Sequence, residues 1–209
     1  MRTTLGVAVS GSPGPEASPD RELWERLRVV DEGALSELFH RHRDSVYNFA
    51  FRRTSSWASA EDVVQATFTA LWRRAAEEHL DELTLDSARP VILRIATYEC
   101  TNVIRSTRRL RALRERLRTA GRGDAVPDHS ANAAANVDSE RAMRDLRKLL
   151  AAIPAGQRDV LELVAWSGCS MAEAGEVLGI PEGTVKSRLA RARRRLAGLL
   201  DLDTLEGLS

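Results

Sequence analysis

The chain has 209 residues, 43% apolar and 29% charged, which bounds it to one or two ordinary globular domains. Its two cysteines, Cys100 and Cys169, lie far apart and outside any C-x-x-C pair, which excludes a disulfide framework or a zinc site built on them. A net charge of +1 hides an uneven distribution: residues 105–118 hold seven arginines and one acid, 186–195 six basic residues and no acid, and 77–86 five acids without Lys or Arg. Two positive segments of that kind suit a phosphate backbone.

Residues 1–20, rich in Gly, Pro and Ser, read as a disordered tail. The apolar run at its start is too short for a signal peptide, and no stretch is long enough to insert in a membrane, so the expected location is cytoplasmic. From Arg21 onward the periodicity is helical. Leu23, Leu27 and Val30 mark a first helix, and Leu35, Leu38, Phe39, His42, Val46, Phe49 and Ala50 a longer second one. After a loop over 55–58, Ser59 is the expected N-cap of a third helix. Val64, Phe68, Leu71 and Ala75 form its apolar face, while Glu61, Asp62, Gln65 and Thr69 fall on the other side. The acidic stretch 77–86 lacks a period and reads as a loop. Pro90 opens a fourth helix with Val91, Ile92, Ile95, Val103, Leu110, Leu113 and Leu117 apolar, and this helix carries the seven arginines toward its end.

Composition changes over 118–139, where Gly, Pro, Ala and Asn dominate; this reads as a linker between two helical modules, 21–117 and 140–200, with a short tail over 201–209. The second module begins with Met143, Leu146, Leu149, Leu150 and Ile153, then turns at Pro154 and Gly156 into a helix with Val160, Leu161, Leu163 and Val164. No strand signal rises above background, so the expected fold class is all-α.

Residues 168–200 read as a helix-turn-helix. Ser170 and Glu173 form a capping box, Gly179 supplies the left-handed residue that ends the short helix, and Pro181 falls at the first turn of the next. In that next helix Val185, Leu189, Ala192 and Leu196 make one apolar stripe. The opposite side carries Gly183, Ser187, Ala190, Arg191 and Arg194, flanked by Lys186 and Arg188. A helix buried by one stripe and presenting Ser and Arg outward fits the DNA major groove. Gly175 inside the short helix costs about 1 kcal/mol relative to Ala, which predicts a less stable second module.

Two separated stretches point to one family. AEDVVQATFTALW (60–72) resembles region 2 of bacterial sigma factors, and IPAGQRDVLELV together with GTVKSRLARARRRL resembles their region 4, in the arrangement of the extracytoplasmic-function (ECF) type. The resemblance implies a promoter-specificity subunit that binds core RNA polymerase and promoter DNA, with region 2 opening the minus-10 element and region 4 reading the minus-35 element as duplex. Carried over position by position, it implies polymerase contacts at Asp62 and Gln65. It implies minus-35 contacts at Lys186, Ser187, Ala190 and Arg191, with Arg188 and Arg194 beside them. On the minus-10 side it implies a pocket loop over 77–86 and strand contacts at Arg94, Arg105, Arg108 and Arg109. Val91, Tyr98 and Asn102 depart from the family pattern Trp-Leu-x-x-Ile-Ala-x-Asn-x-x-x-Asp; Tyr98 is either a core aromatic or a DNA contact. The family also implies an anti-sigma partner. No cofactor is expected, nor an enzyme: His40, His42, His79 and His129 show no metal spacing, and no carboxylate pair sits on a catalytic scaffold. The alternative is a stand-alone LuxR-like regulator, which shares the Gly-Thr-Val-Lys turn but calls for a different first half.

Overall fold

The computed structural model describes residues 19–119 and 134–206. The tail read over 1–20 therefore lies almost wholly outside the described residues, as do the centre of the linker read over 118–139 and residues 207–209.

Eight α-helices and one π-helical turn account for the described chain, and no described residue is in a strand. In the first module α1 (Asp20–Arg28), α2 (Glu32–Thr54), α3 (Trp57–Ala76) and the N-terminal half of α4 (Arg89–Thr119) pack around one core. Most of the periodic residues are its content: Leu23 and Leu27 of α1, Leu38, Val46 and Phe49 of α2, Val64, Phe68 and Leu71 of α3, and Ile92 and Ile95 of α4 are buried. Leu110, Leu113 and Leu117, expected on the apolar side of α4, are instead exposed because the C-terminal half of that helix extends past the core. Each buried side chain of this kind contributes about 1.5–3 kcal/mol by leaving water. Val30 departs from the reading: α1 ends at Arg28, and Val30 is exposed with φ 64° because the chain must reverse before Asp31 caps α2 by accepting from the Ala34 N–H at 3.1 Å.

The link between α2 and α3 is tighter than the loop expected over 55–58. Ser55 takes the left-handed conformation and Ser56, not Ser59, is the N-cap, accepting from the Ser59 N–H at 3.4 Å. Trp57 is thereby drawn into the first turn of α3, where it stacks on Phe51 with ring centroids 3.5 Å apart.

The second module comprises α5 (Ala134–Leu150), α6 (Ala155–Leu161), the π-helical turn Glu162–Trp166, α7 (Met171–Leu178) and α8 (Glu182–Glu206). Helix α5 starts inside the stretch read as linker, and α8 continues into the stretch read as a tail. Leu150, Ile153, Val160, Leu163, Val177, Val185 and Leu189 are buried, and they belong to the same apolar cluster as the first module's core. The modules are therefore docked on each other, with α7 seated against α4.

Candidate nucleic-acid interface

The turn between α7 and α8 has the backbone chemistry its sequence demands. Ser170 accepts from the Glu173 N–H at 3.1 Å, and the Glu173 carboxylate accepts from the Ser170 N–H at 2.8 Å, which closes the capping box. Gly179 ends α7 at φ 62°, and Pro181 stands just ahead of α8, its carbonyl accepting from Thr184 and Val185. Gly175 sits at a close approach. A Cβ there would lie 2.8 Å from the Ile180 carbonyl oxygen, so the absence of a side chain is what lets the turn fold back onto α7. The glycine that costs helix propensity makes the close approach possible.

That turn fixes which side of α8 faces out. Val185, Leu189 and Ala192 are buried, whereas Lys186, Ser187, Ala190, Arg191 and Arg194 are exposed. The Ser187 hydroxyl donates to the Thr184 carbonyl at 3.1 Å. Arg188 differs from its neighbours: it is half-buried, and its guanidinium lies over Gly156 of α6, so it braces the module as well as bordering the exposed face.

On α4, steps of 100° per residue bring Arg94, Tyr98, Arg105, Arg108 and Arg109 within one side of the helix, and all five are exposed. They span about 22 Å along its axis. Tyr98 is 63% exposed, which removes it from the core and leaves an aromatic ring in a row of guanidinium groups. Arginines that follow a backbone, with a ring on which a base can stack, are the elements of a single-strand path. Arg94, at the head of the row, donates to the Glu176 carbonyl at 2.9 Å and pairs with the Glu176 carboxylate, so α7 holds it in the docked state. Farther along, Arg108 joins Arg111, Arg114, Arg144 and Lys148 around a groove of about 820 Å³ between α4 and α5.

The acidic stretch 77–86 is non-helical as expected, with Leu80 and Leu83 buried and all five acids exposed. Asp62 and Gln65 sit side by side on the exposed face of α3, opposite the buried Val64 and Phe68. The structure thus leaves three separate polar surfaces, on α3, α4 and α8, and does not gather them into one site. Among the described residues no group of His, Cys, Asp or Glu is placed to hold a metal ion, and no helix is long and apolar enough to cross a membrane.

Sequence reasoning missed the seam between the modules. Arg53 donates to Asp159 at 2.7 Å and to Glu162 at 2.9 Å, the Trp57 N–H donates to the Glu140 carboxylate at 2.9 Å, and Arg52 lies over the Trp166 ring. Burial pushes the Glu162 carboxyl up from its ordinary value while Arg53 pulls against it. No local pattern announces partners so distant in the chain.

Comparison with known proteins agrees with this arrangement. The profile described as Sigma-70 region 2 matches residues 38–110, and that described as Sigma-70, region 4 matches residues 143–196. The ECF RNA polymerase sigma factor SigM of Mycobacterium tuberculosis is 30% identical over 190 residues, covering 91% of this chain and 89% of that protein. The chain belongs to the ECF RNA polymerase sigma factors. SigL of the same species is 32% identical over 168 residues, 80% of this chain and 89% of that one. The sigma factor CnrH of Cupriavidus metallidurans is 30% identical, covering 88% and 96%. The solved structure of CnrH with the cytosolic domain of CnrY shares the fold, with a TM-score of 0.62 at 24% identity over 88% of this chain and 98% of that one. The sigma-factor assignment leaves the stand-alone regulator unsupported, since region 2 occupies the first half of the chain.

Proposed function

We propose that the three surfaces divide the work of promoter recognition. The unit 21–117 docks on core RNA polymerase through Asp62 and Gln65 and guides the opened minus-10 strand along Arg94, Tyr98, Arg105, Arg108 and Arg109. The unit 140–200 reads the minus-35 duplex through Lys186, Ser187, Ala190 and Arg191, with Arg188 and Arg194 at the border, and 118–139 joins the two. The observation that carries this reading is helix α8: it buries one narrow stripe and presents a Ser, Ala and Arg face of groove width. The protein works without chemistry of its own or a cofactor, in the cytoplasm. An anti-sigma protein is its proposed regulator, by analogy with CnrH, whose structure holds the cytosolic domain of CnrY.

The test is co-purification with core RNA polymerase, using Asp62→Ala and Gln65→Ala beside the wild type. Weaker retention of folded variants supports the α3 docking face. A folded wild-type chain that ignores the polymerase yet binds duplex DNA overturns the reading in favour of a stand-alone regulator.

A further inference from the structure

Helix α1 precedes the region 2 match, which begins at residue 38, and promoter recognition as proposed above gives it no task. Its side chains nevertheless converge on the acidic loop. Arg28 Nε donates to the Leu80 carbonyl at 3.1 Å and Trp24 Nε1 to the Asp81 carbonyl at 2.9 Å. Arg21 grips the Asp86 carboxylate at 3.0 Å. Asp20 accepts from the Ala88 N–H at 2.8 Å and from the Ser87 hydroxyl at 3.3 Å. One helix of nine residues thus holds main-chain groups in the middle of the loop, at Leu80 and Asp81, and just beyond its end, at Ala88.

The helix is itself held rigidly. Leu23, Trp24 and Leu27 are buried, and the Asp20 carboxylate also accepts from Arg41 at 2.7 Å and bonds His42 Nε2 at 2.9 Å, both on α2. Glu78, with φ 56°, bends the chain into the loop, and Leu80 and Leu83 point inward. Asp81, Glu82 and Thr84 are then exposed next to a backbone held at Leu80 and Asp81, with the Glu82 carboxylate 3.8 Å from Arg28 Nη1. Carboxylates accept from the amino group of cytosine, and a threonine hydroxyl can pair with any base edge. Such short acceptors discriminate only if their backbone stays in place.

We infer that α1 is the positioning element of the base-reading loop, with Trp24 and Arg28 setting its geometry through the Leu80 and Asp81 carbonyls and thereby setting minus-10 sequence preference. The inference rests on the proposed minus-10 role of the unit 21–117 and on the pocket loop that the family resemblance implies over 77–86. Trp24 and Arg28 touch no DNA in this scheme; they act through the loop. A purely structural α1 would lower the amount of active protein and leave base preference unchanged.

The experiment uses the full chain bound to core RNA polymerase and a DNA pool randomised at both promoter elements. Templates retained in open complexes are sequenced for the wild type, Trp24→Phe, Arg28→Met and the loop variants Asp81→Ala, Glu82→Ala and Thr84→Ala. Trp24→Phe keeps an aromatic ring but deletes the five-membered ring with its N–H and opens space in the core, whereas Arg28→Met keeps the apolar stem and removes the guanidinium with its contacts to Leu80, Glu25 and Glu82. The expected result is a roughly three- to tenfold loss of discrimination at minus-10 positions in both α1 variants, with minus-35 preference held in both; a lower melting temperature is expected for Trp24→Phe, so Arg28→Met separates positioning from stability. If the loop variants shift minus-10 preference and the α1 variants do not, the positioning role is overturned while the loop reading stands. If the loop variants leave preference unchanged, the loop reading fails and the inference falls with it.

Discussion

Arg53 and Glu162 face each other at 2.9 Å across the seam between the modules, their side chains 12% and 9% exposed. Asp159 completes the fork at 2.7 Å. Arg53→Ala would leave Glu162 enclosed with Arg158, at 4.0 Å, and the charge of Arg147 as its remaining cationic company. Breaking such a buried pair costs about 3–5 kcal/mol, far more than an exposed ion pair contributes. The expected outcome is parting of the modules: a larger radius of gyration by small-angle X-ray scattering, with helix content by circular dichroism unchanged. An unchanged scattering curve would mean that the apolar contacts of α4 and α7 suffice.

Asp20 ties α1 to α2 and to the start of α4, and its ionisation should be visible in acid. Burial by itself would raise its carboxyl, but the His42 hydrogen bond and charge, then Arg41 and the Ala88 N–H, outweigh burial and hold it well below the usual carboxylate range. A depressed folded-state pKa stabilises above the unfolded value, about 4, and that stability is lost as the pH falls below it. Asp20→Asn is therefore expected to cost on the order of 2 kcal/mol at pH 7 in urea unfolding, with the gap to wild type narrowing toward pH 3.

Gly175→Ala sets two effects against each other. Helix propensity favours alanine by up to about 1 kcal/mol. The Ile180 carbonyl, 2.8 Å from the new Cβ, belongs to the backbone of the turn and has little room to yield. Overpacking of that kind costs typically about 1–3 kcal/mol, so the variant should unfold at lower temperature. A raised melting temperature would mean that the turn can open without loss.

Arg191 and Arg194 share the outer face of α8 but should fail differently. A bidentate base contact is worth about 1–3 kcal/mol of discrimination, so Arg191→Ala should relax preference at one minus-35 position. If Arg194, at the border of that face, meets a phosphate rather than a base, Arg194→Ala should weaken all sequences alike and lower the salt slope by about 1. Fluorescence anisotropy with matched and mismatched duplexes at several salt concentrations separates the two.

What was legible in the sequence follows from what is local. Ser170, Glu173 and Gly179 announce α7 because caps and left-handed residues answer backbone needs within one turn. The buried faces of α2 and α3 follow from spacing alone. Ser56 and Ser59 are both good caps three residues apart, and only the stacking of Trp57 on Phe51 shows which is used. Val30 continues an apolar spacing after the helix has ended. The four outer arginines and Tyr98 on α4 could be listed from the sequence, but their shared side emerges from an unbroken helix of 31 residues. Arg53 and Glu162 are 109 residues apart, and the contacts of α1 with 80–88 span 52 or more; neither leaves a periodic trace.

The docked seam also bears on the two thiols. Cys100 is 1% exposed and its thiol is pushed up to about 12 by burial. The charges acting on it come from both modules, Arg53 and Glu99 from one and Glu162 and Arg147 from the other. Cys169, pushed up to about 11 by burial, feels Arg89 from across the seam. A sulfur so enclosed is inert until water and a base reach it. Its alkylation therefore times the excursions in which the halves separate, and a mass spectrometer can read that clock on the unlabelled wild-type chain.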